Sequence, residues 1–369
     1  MFRHIRVAMT ALVALVPLLV TPAAARTRQK APPVNEVGLP VEDALGQRIQ
    51  YGEWDLAARR AETRPPQGDA DASILLPPSG VTARWGYAAF GSGIGLSNIV
   101  LADGEIYVGG GGSTFGANGY WYALRPVGAG YEQVFVSRSL PGLIGLGVAD
   151  VTGDARKEIV AVRADGTVVL FDQTSREEIA TLGVAASDVA GMTLRDLDAD
   201  GKAEILLTTT TFSTNSLFVL SGSGALLLQR AGAGGVDVTV GNMDGDASPE
   251  IATTSGVVLD WASQTVQWLR PQGFGIDVEV GDIDGDGKDE LIGAQAWDFI
   301  WAFDVDIQLP KWSLPMFNTG AIWVGNVDSD PDLEMLVGEA QWGDVKAFNT
   351  VTLVEEWEIA NPEHGVTFV

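Results

Sequence analysis

The chain has no cysteine and two histidines, His4 and His364, in 369 residues. No disulfide can form, thiol chemistry has no nucleophile, and histidine-based acid and base catalysis has almost no material. Basic residues are also scarce, with 23 Lys and Arg against 48 Asp and Glu and a net charge of -25. Nucleic-acid affinity comes largely from neutralising phosphates, so DNA and RNA are excluded as expected partners. After the first 25 residues no apolar run is long enough to span a bilayer, which takes about 20 residues. Charged residues make up only 19% of the chain, whereas hydrophobic residues reach 46% and glycine numbers 45. That balance points to a folded core built from short strands and tight turns, an all-β architecture.

Residues 1–25 have the layout of an export signal: Arg3, His4 and Arg6, then ALVALVPLLV, then Ala23, Ala24 and Ala25. The apolar stretch is about half the length of a spanning helix and contains Pro17, so a signal is expected rather than an anchor. The mature chain is expected in the periplasm, outside the cell or at its surface. Exported proteins often cross-link their loops with disulfides. Here something else must fasten them. Residues 26–71, with Pro32, Pro33, Pro40, Pro65 and Pro66, are expected to form a Pro-rich flexible arm.

From residue 72 onward a repeat dominates. Five segments align on an acidic loop followed by an apolar strand: DVTGDARKEIVAV from Asp150, DLDADGKAEILLT from Asp196, NMDGDASPEIATT from Asn242, DIDGDGKDELIGA from Asp282 and NVDSDPDLEMLVG from Asn326. The anchors are 46, 46, 40 and 44 residues apart. A degenerate sixth copy keeps only GEIYVGG from Gly104. Each period holds four short apolar runs, the signature of a four-stranded propeller blade. An apolar residue about 14 positions before an anchor, as at Leu228, Trp268 and Trp312, is expected to pack blade against blade. The C-terminal GVTFV resembles an inner strand without its loop, and VTARWGYA from Val81 an outer strand without its inner one. The favoured count is therefore seven blades, the last completed by both chain ends, with six as the alternative.

The acidic loops carry the chemistry. Oxygen side chains at positions 1, 3, 5 and 9, with a main-chain carbonyl at 7, supply the hard oxygens that calcium prefers. The fullest copy offers Asp282, Asp284, Asp286 and Glu290. Carboxylates about 4 Å apart at an effective dielectric near 20 would repel by about 4 kcal/mol per pair, so a cation is expected to hold the turn closed. An EF-hand closes with Glu at position 12, where this chain has Gly293 or Leu207, so the turn is a shorter one.

These loops resemble the D-x-D-x-D-G-x-x-D/E calcium turns of FG-GAP or VCBS-type repeats, the blades of integrin-alpha-like β-propellers. The resemblance covers about 94–369. It implies Ca2+ ligands at Asp196, Asp198, Asp200 and Glu204, at Asn242, Asp244, Asp246 and Glu250, and at Asp282, Asp284, Asp286 and Glu290. It also implies a set at Asn326, Asp328, Asp330 and Glu334 and another at Asp150, Asp154 and Glu158. The last two sets are expected to be weaker, because Thr152 stands at position 3 and Ala155 and Pro331 stand at position 6, where the family has Gly. Affinities of about 10⁻⁴ to 10⁻³ M are typical of extracellular modules. WD-type marks are missing, and similarities to kelch and quinoprotein-like propellers do not recur with the repeat.

If the calcium turn joins the first two strands, the loops joining strands two and three, and those between blades, lie at the opposite end. That end then gathers Phe115, Tyr120, Trp297, Trp342, Phe274 and Phe317 as candidate contacts for a protein or polysaccharide partner. Binding, as an adhesive or surface-associated module, is the leading function. A carbohydrate-active enzyme using carboxylates such as Asp237 and Asp277, a carbohydrate-binding protein and a quinoprotein-like envelope scaffold are the alternatives.

Overall fold

Strands alternate their side chains between two faces, and here both faces are apolar, so every sheet must be covered twice. Ile205 and Leu207 point to one side of their strand and Leu206 to the other, and all three are fully buried. The architecture that satisfies this is seen in a computed structural model of the chain, which describes residues 99–110, 119–127, 130–316, 318–328, 330–340 and 344–359. The export signal, the arm and the two chain ends expected to build a seventh blade lie outside the described residues.

The described residues form six four-stranded antiparallel sheets, each running from first to fourth strand in sequence order, and contain no helix. We number them as blades 1 to 6, spanning 99–136, 143–183, 189–231, 238–269, 277–315 and 319–359. The architecture is an all-β propeller, with six blades among the described residues.

Five hydrophobic clusters fill the five spaces between consecutive blades. Ile205 and Leu207 join Val160, Val162 and Leu170 between blades 2 and 3. Leu206 turns the other way, onto Val238, Val240 and Ile251 between blades 3 and 4. The same alternation sends Leu291 toward blade 4 and Ile292 toward blade 6. The aromatic residues do this work too: Trp121 is fully buried between blades 1 and 2, 4.7 Å from Phe135 and 5.2 Å from Phe171. Trp268 packs against Phe274 and Phe303, and Trp312 and Leu228 lie half-buried against their own interfaces. The residues at that phase are packing elements, as their recurrence predicted.

Asp237 and Asp277 belong to the same packing. Each is buried near the start of an innermost strand, and each accepts a main-chain N–H of the next blade, Asp237 from Val278 at 3.0 Å and Asp277 from Ile322 at 2.7 Å. They tie blade 4 to 5 and blade 5 to 6. In blades 2 and 3 that position is Gly145 and Gly191, and a Cβ on Gly191 would lie 2.7 Å from Asp237 Cα, so these inner strands approach too closely for a side chain.

Candidate metal centres

Each acidic loop joins the first and second strands of its blade, the condition on which the opposite end was assigned. The Glu at position 9 opens the second strand and is buried in every case: Glu158, Glu204, Glu250, Glu290 and Glu334. One of its oxygens accepts the N–H of position 2, from Val151, Leu197, Met243, Ile283 and Val327 at 2.6 to 3.0 Å. This bond closes the turn across its base and leaves the second oxygen, Oε1, outside it.

In four blades three acids converge, with one oxygen of each within 4.8 Å of the others: Asp196, Asp198 and Glu204; Asp244, Asp246 and Glu250; Asp282, Asp284 and Glu290; Asp328, Asp330 and Glu334. Asp200 and Asp286 are outside these groups. Asp200 instead accepts Lys202 Nζ at 2.6 Å. Asp150, Asp154 and Glu158 do not converge in this way. Arg156 holds Asp154 through Nε at 2.9 Å, Gly153 and Ala155 donate N–H groups to Asp150, and Thr152 Oγ1 is 3.3 Å from Glu158 Oε1. Blade 1 has no acidic loop; Asp103 and Gly104, both at positive φ, make a two-residue hairpin turn, and Lys157 of blade 2 pairs with Asp103 at 2.9 Å.

The turns come in two forms. In blades 3 and 5 position 1 is an acid and position 6 a glycine at positive φ, whose N–H reaches back to Asp196 or Asp282 at 2.9 Å. In blades 4 and 6 position 6 is Ala247 or Pro331, and position 1 is Asn242 or Asn326, whose amide donates to the carbonyl of Asp246 or Asp330. The asparagine supplies a donor of its own where the glycine's turned N–H is lost.

Blades 4 and 6 share a second feature at Glu Oε1, and blade 5 departs from it. Glu250 Oε1 and Glu334 Oε1 are buried without a hydrogen-bond donor, on residues that are 0% exposed. Such an orphaned anion is costly to bury unpaired. Burial, with the charges of Asp244, Asp246 and Asp260 added, pushes Glu250 up to about 7 against the N–H of Met243. In blade 5 the corresponding oxygen holds Lys311, whose Nζ lies 2.6 Å from Glu290 Oε1 and also contacts Asp284. Burial opposes that ammonium's charge, but its two carboxylate bonds prevail and its pKa is raised. An orphaned carboxylate oxygen among converging carboxylates, with hard oxygen donors only, fits a hard divalent cation.

At the opposite end the loops joining strands two and three expose two aromatics. Trp297 of blade 5 is 54% exposed and Phe212 of blade 3 is 99% exposed. Tyr120 is half-buried at the start of its strand. Phe274 is corrected: at 1% exposure it belongs to the core between blades 4 and 5, 5.5 Å from Phe303, and offers nothing to a partner. Phe115, Phe317 and Trp342 lie outside the described residues.

No known family model and no curated protein matches this sequence. Solved structures do match its fold. A crystal structure of BBS1N in complex with ARL6DN superposes with a TM-score of 0.55 at 11% identity, over 74% of this chain and 84% of that one. The Pan2 WD40 domain of Neurospora crassa gives 0.50 at 13% identity, over 75% and 79%. Saccharomyces cerevisiae Sqt1 gives 0.50 at 10% identity, over 71% and 82%. The chain is similar to these in fold.

Two functional candidates escaped sequence reasoning. Phe212 sits in the polar run TTTTFSTN, where a lone apolar residue between two strands was the available signal. Lys311 lies in the outermost strand, 21 residues beyond Glu290, and no local pattern links it to the turn.

Proposed function

We propose that the chain is an exported, calcium-binding propeller of the FG-GAP or VCBS type that acts as a macromolecule-binding module. The orphaned Oε1 atoms of Glu250 and Glu334 carry the metal reading, because a buried carboxylate oxygen without a donor is rare in folded proteins and a cation would satisfy it. The residues that would hold calcium are Asp244, Asp246 and Glu250 in blade 4 and Asp328, Asp330 and Glu334 in blade 6. A bound ion would neutralise the mutual repulsion of the acids and clamp the base of the blade. Exposed aromatics on equivalent loops of blades 3 and 5, Phe212 and Trp297, support binding at the opposite end, since aromatic anchors dominate recognition surfaces. A protein or polysaccharide is the partner class. The binding reading is further supported by the setting of Asp237 and Asp277, the acids of the carbohydrate-active alternative: each is buried and gives one oxygen to a main-chain N–H of the next blade.

The chain ends are proposed to complete a seventh blade. Supporting this, Ile99 and Leu101 on the innermost strand of blade 1 and Trp323 on that of blade 6 leave apolar surface exposed at the two ends of the series. Screening the purified chain on glycan and envelope-protein arrays tests the binding reading. Capture of a partner that Phe212→Ala and Trp297→Ala both weaken supports it, and turnover of a polysaccharide abolished by Asp237→Asn would replace it with the enzyme reading.

A further inference from the structure

Every fourth strand carries a one-residue bulge at the same register. The extra residue lies opposite the step Ala123 to Leu124 in blade 1, Leu170 to Phe171 in blade 2, Val219 to Leu220 in blade 3, Val258 to Leu259 in blade 4, Ala302 to Phe303 in blade 5 and Ala347 to Phe348 in blade 6. The bulged residues are Val134, Ile179, Leu227, Gln267, Lys311 and Glu356 in blade order. A bulge re-aims a side chain that regular pairing would point elsewhere. In blades 4 and 5 the re-aimed side chain reaches the acidic turn of its own blade. Gln267 Nε2 donates to Asp244 Oδ2 at 2.8 Å, and Lys311 Nζ holds Glu290 and Asp284. Glu356 is near enough to the blade 6 acids for the charges of Glu334, Asp328 and Asp330 to raise its pKa, after the larger effect of burial. An amide, an ammonium and a carboxylate thus occupy one structural position in three successive blades.

The consequence is read at the position 9 glutamate. With Gln267 in the bulge, Glu250 Oε1 has no donor, whereas with Lys311 there, Glu290 Oε1 has one. An ammonium and a calcium ion cannot share the same two carboxylate oxygens, because both are cations that need the same lone pairs. We propose that the bulged residue decides what each turn takes: Lys311 gives the blade 5 turn a built-in cation and closes it to calcium, whereas the blade 4 turn, with Gln267 in that place, takes the ion. For blade 4 this rests on the calcium reading above; for blade 5 it does not. The turn that matches the repeat pattern best is then the one that needs no ion.

The test counts calcium bound to the full chain by equilibrium dialysis, with folding checked by circular dichroism. Asp284→Asn is expected to leave the count of the unaltered chain unchanged, Asp244→Asn to lower it by one, and Lys311→Gln to raise it by one. Loss of an ion from Asp284→Asn, or no gain from folded Lys311→Gln, overturns the proposal. If the unaltered chain and Asp244→Asn bind none alike while Lys311→Gln binds one, the calcium reading of blade 4 fails and the role of Lys311 stands. Should Lys311→Gln not fold, the Asp284→Asn count decides alone.

Discussion

Blades 4 and 5 are neighbours with near-identical turns, NMDGDASPE and DIDGDGKDE, yet they balance their charge in different ways. Blade 5 has an acid at position 1, glycine at position 6 and a lysine folded onto its glutamate. Blade 4 has asparagine, alanine and an orphaned glutamate oxygen. The difference teaches that a metal-binding pattern in a repeat records the geometry of the turn more faithfully than the balance of its charge, since that balance depends on a residue delivered from another strand.

The largest effect should come from the interface that holds the two turns side by side. Phe274→Ala removes a ring buried between blades 4 and 5 and should cost about 3–5 kcal/mol in denaturant unfolding. A loss below about 1 kcal/mol would mean the two blades are not packed as described. Next comes calcium itself. A single site at 100 times its Kd adds about 2.7 kcal/mol, so chelation should lower the Tm clearly, and Asp244→Asn should remove more of that response than Asp284→Asn. Equal losses would erase the contrast between the blades. Third, in chelator, Glu250→Ala strands the Met243 N–H and should destabilise by about 1–3 kcal/mol, whereas Glu250→Gln keeps an acceptor and should cost less.

The pH dependence sharpens the same contrast. Glu250 is pushed up to about 7, and Glu279 to about 8 by burial and then by the Asp277 charge. An acid whose folded pKa is raised binds more protons folded than unfolded in the interval between the two values, so its contribution is full below its unfolded value near 4.5 and is lost as pH rises. Metal-free protein should therefore lose stability between about pH 5 and 8, with the buried Asp237 and Asp277 acting in the same sense. Calcium needs the deprotonated carboxylate and should flatten or invert this slope. Glu250→Gln should weaken the slope in chelator while Glu290→Gln changes it less, and a metal-free slope of the opposite sign would remove the assignment. The smallest effect on stability is expected from Trp297→Ala and Phe212→Ala, within about 0.5 kcal/mol, so any loss of partner binding they cause is a contact effect.

The propeller was legible in the sequence because a period of 40 to 46 residues with four apolar runs admits few other folds, and the turns because their acids fall at fixed offsets. What escaped were contacts made across strands. The bulge that brings Lys311 to Glu290 shows up only as a one-residue slip in pairing. Phe274 follows Gly273, like a loop residue, but its ring packs between Trp268 of blade 4 and Phe303 of blade 5, and its carbonyl approaches Gly293 so closely that a Cβ there would meet it at 2.3 Å. Asp237 and Asp277 read in the sequence as carboxylates open to chemistry, whereas each is buried and accepts an N–H of the next blade.

Adjacent turns are also stitched to one another. Asp289 of blade 5 donates its N–H to the Asn242 carbonyl and accepts the Asn242 N–H, and Ala203 of blade 3 donates to the Asp150 carbonyl of blade 2. The equivalent residue of blade 4 is Pro249, which has no N–H to give. The rim is therefore fastened in couples, 2 with 3 and 4 with 5. Between the turns of blades 3 and 4 that main-chain bond is missing, so along this rim the two are joined less firmly than either couple.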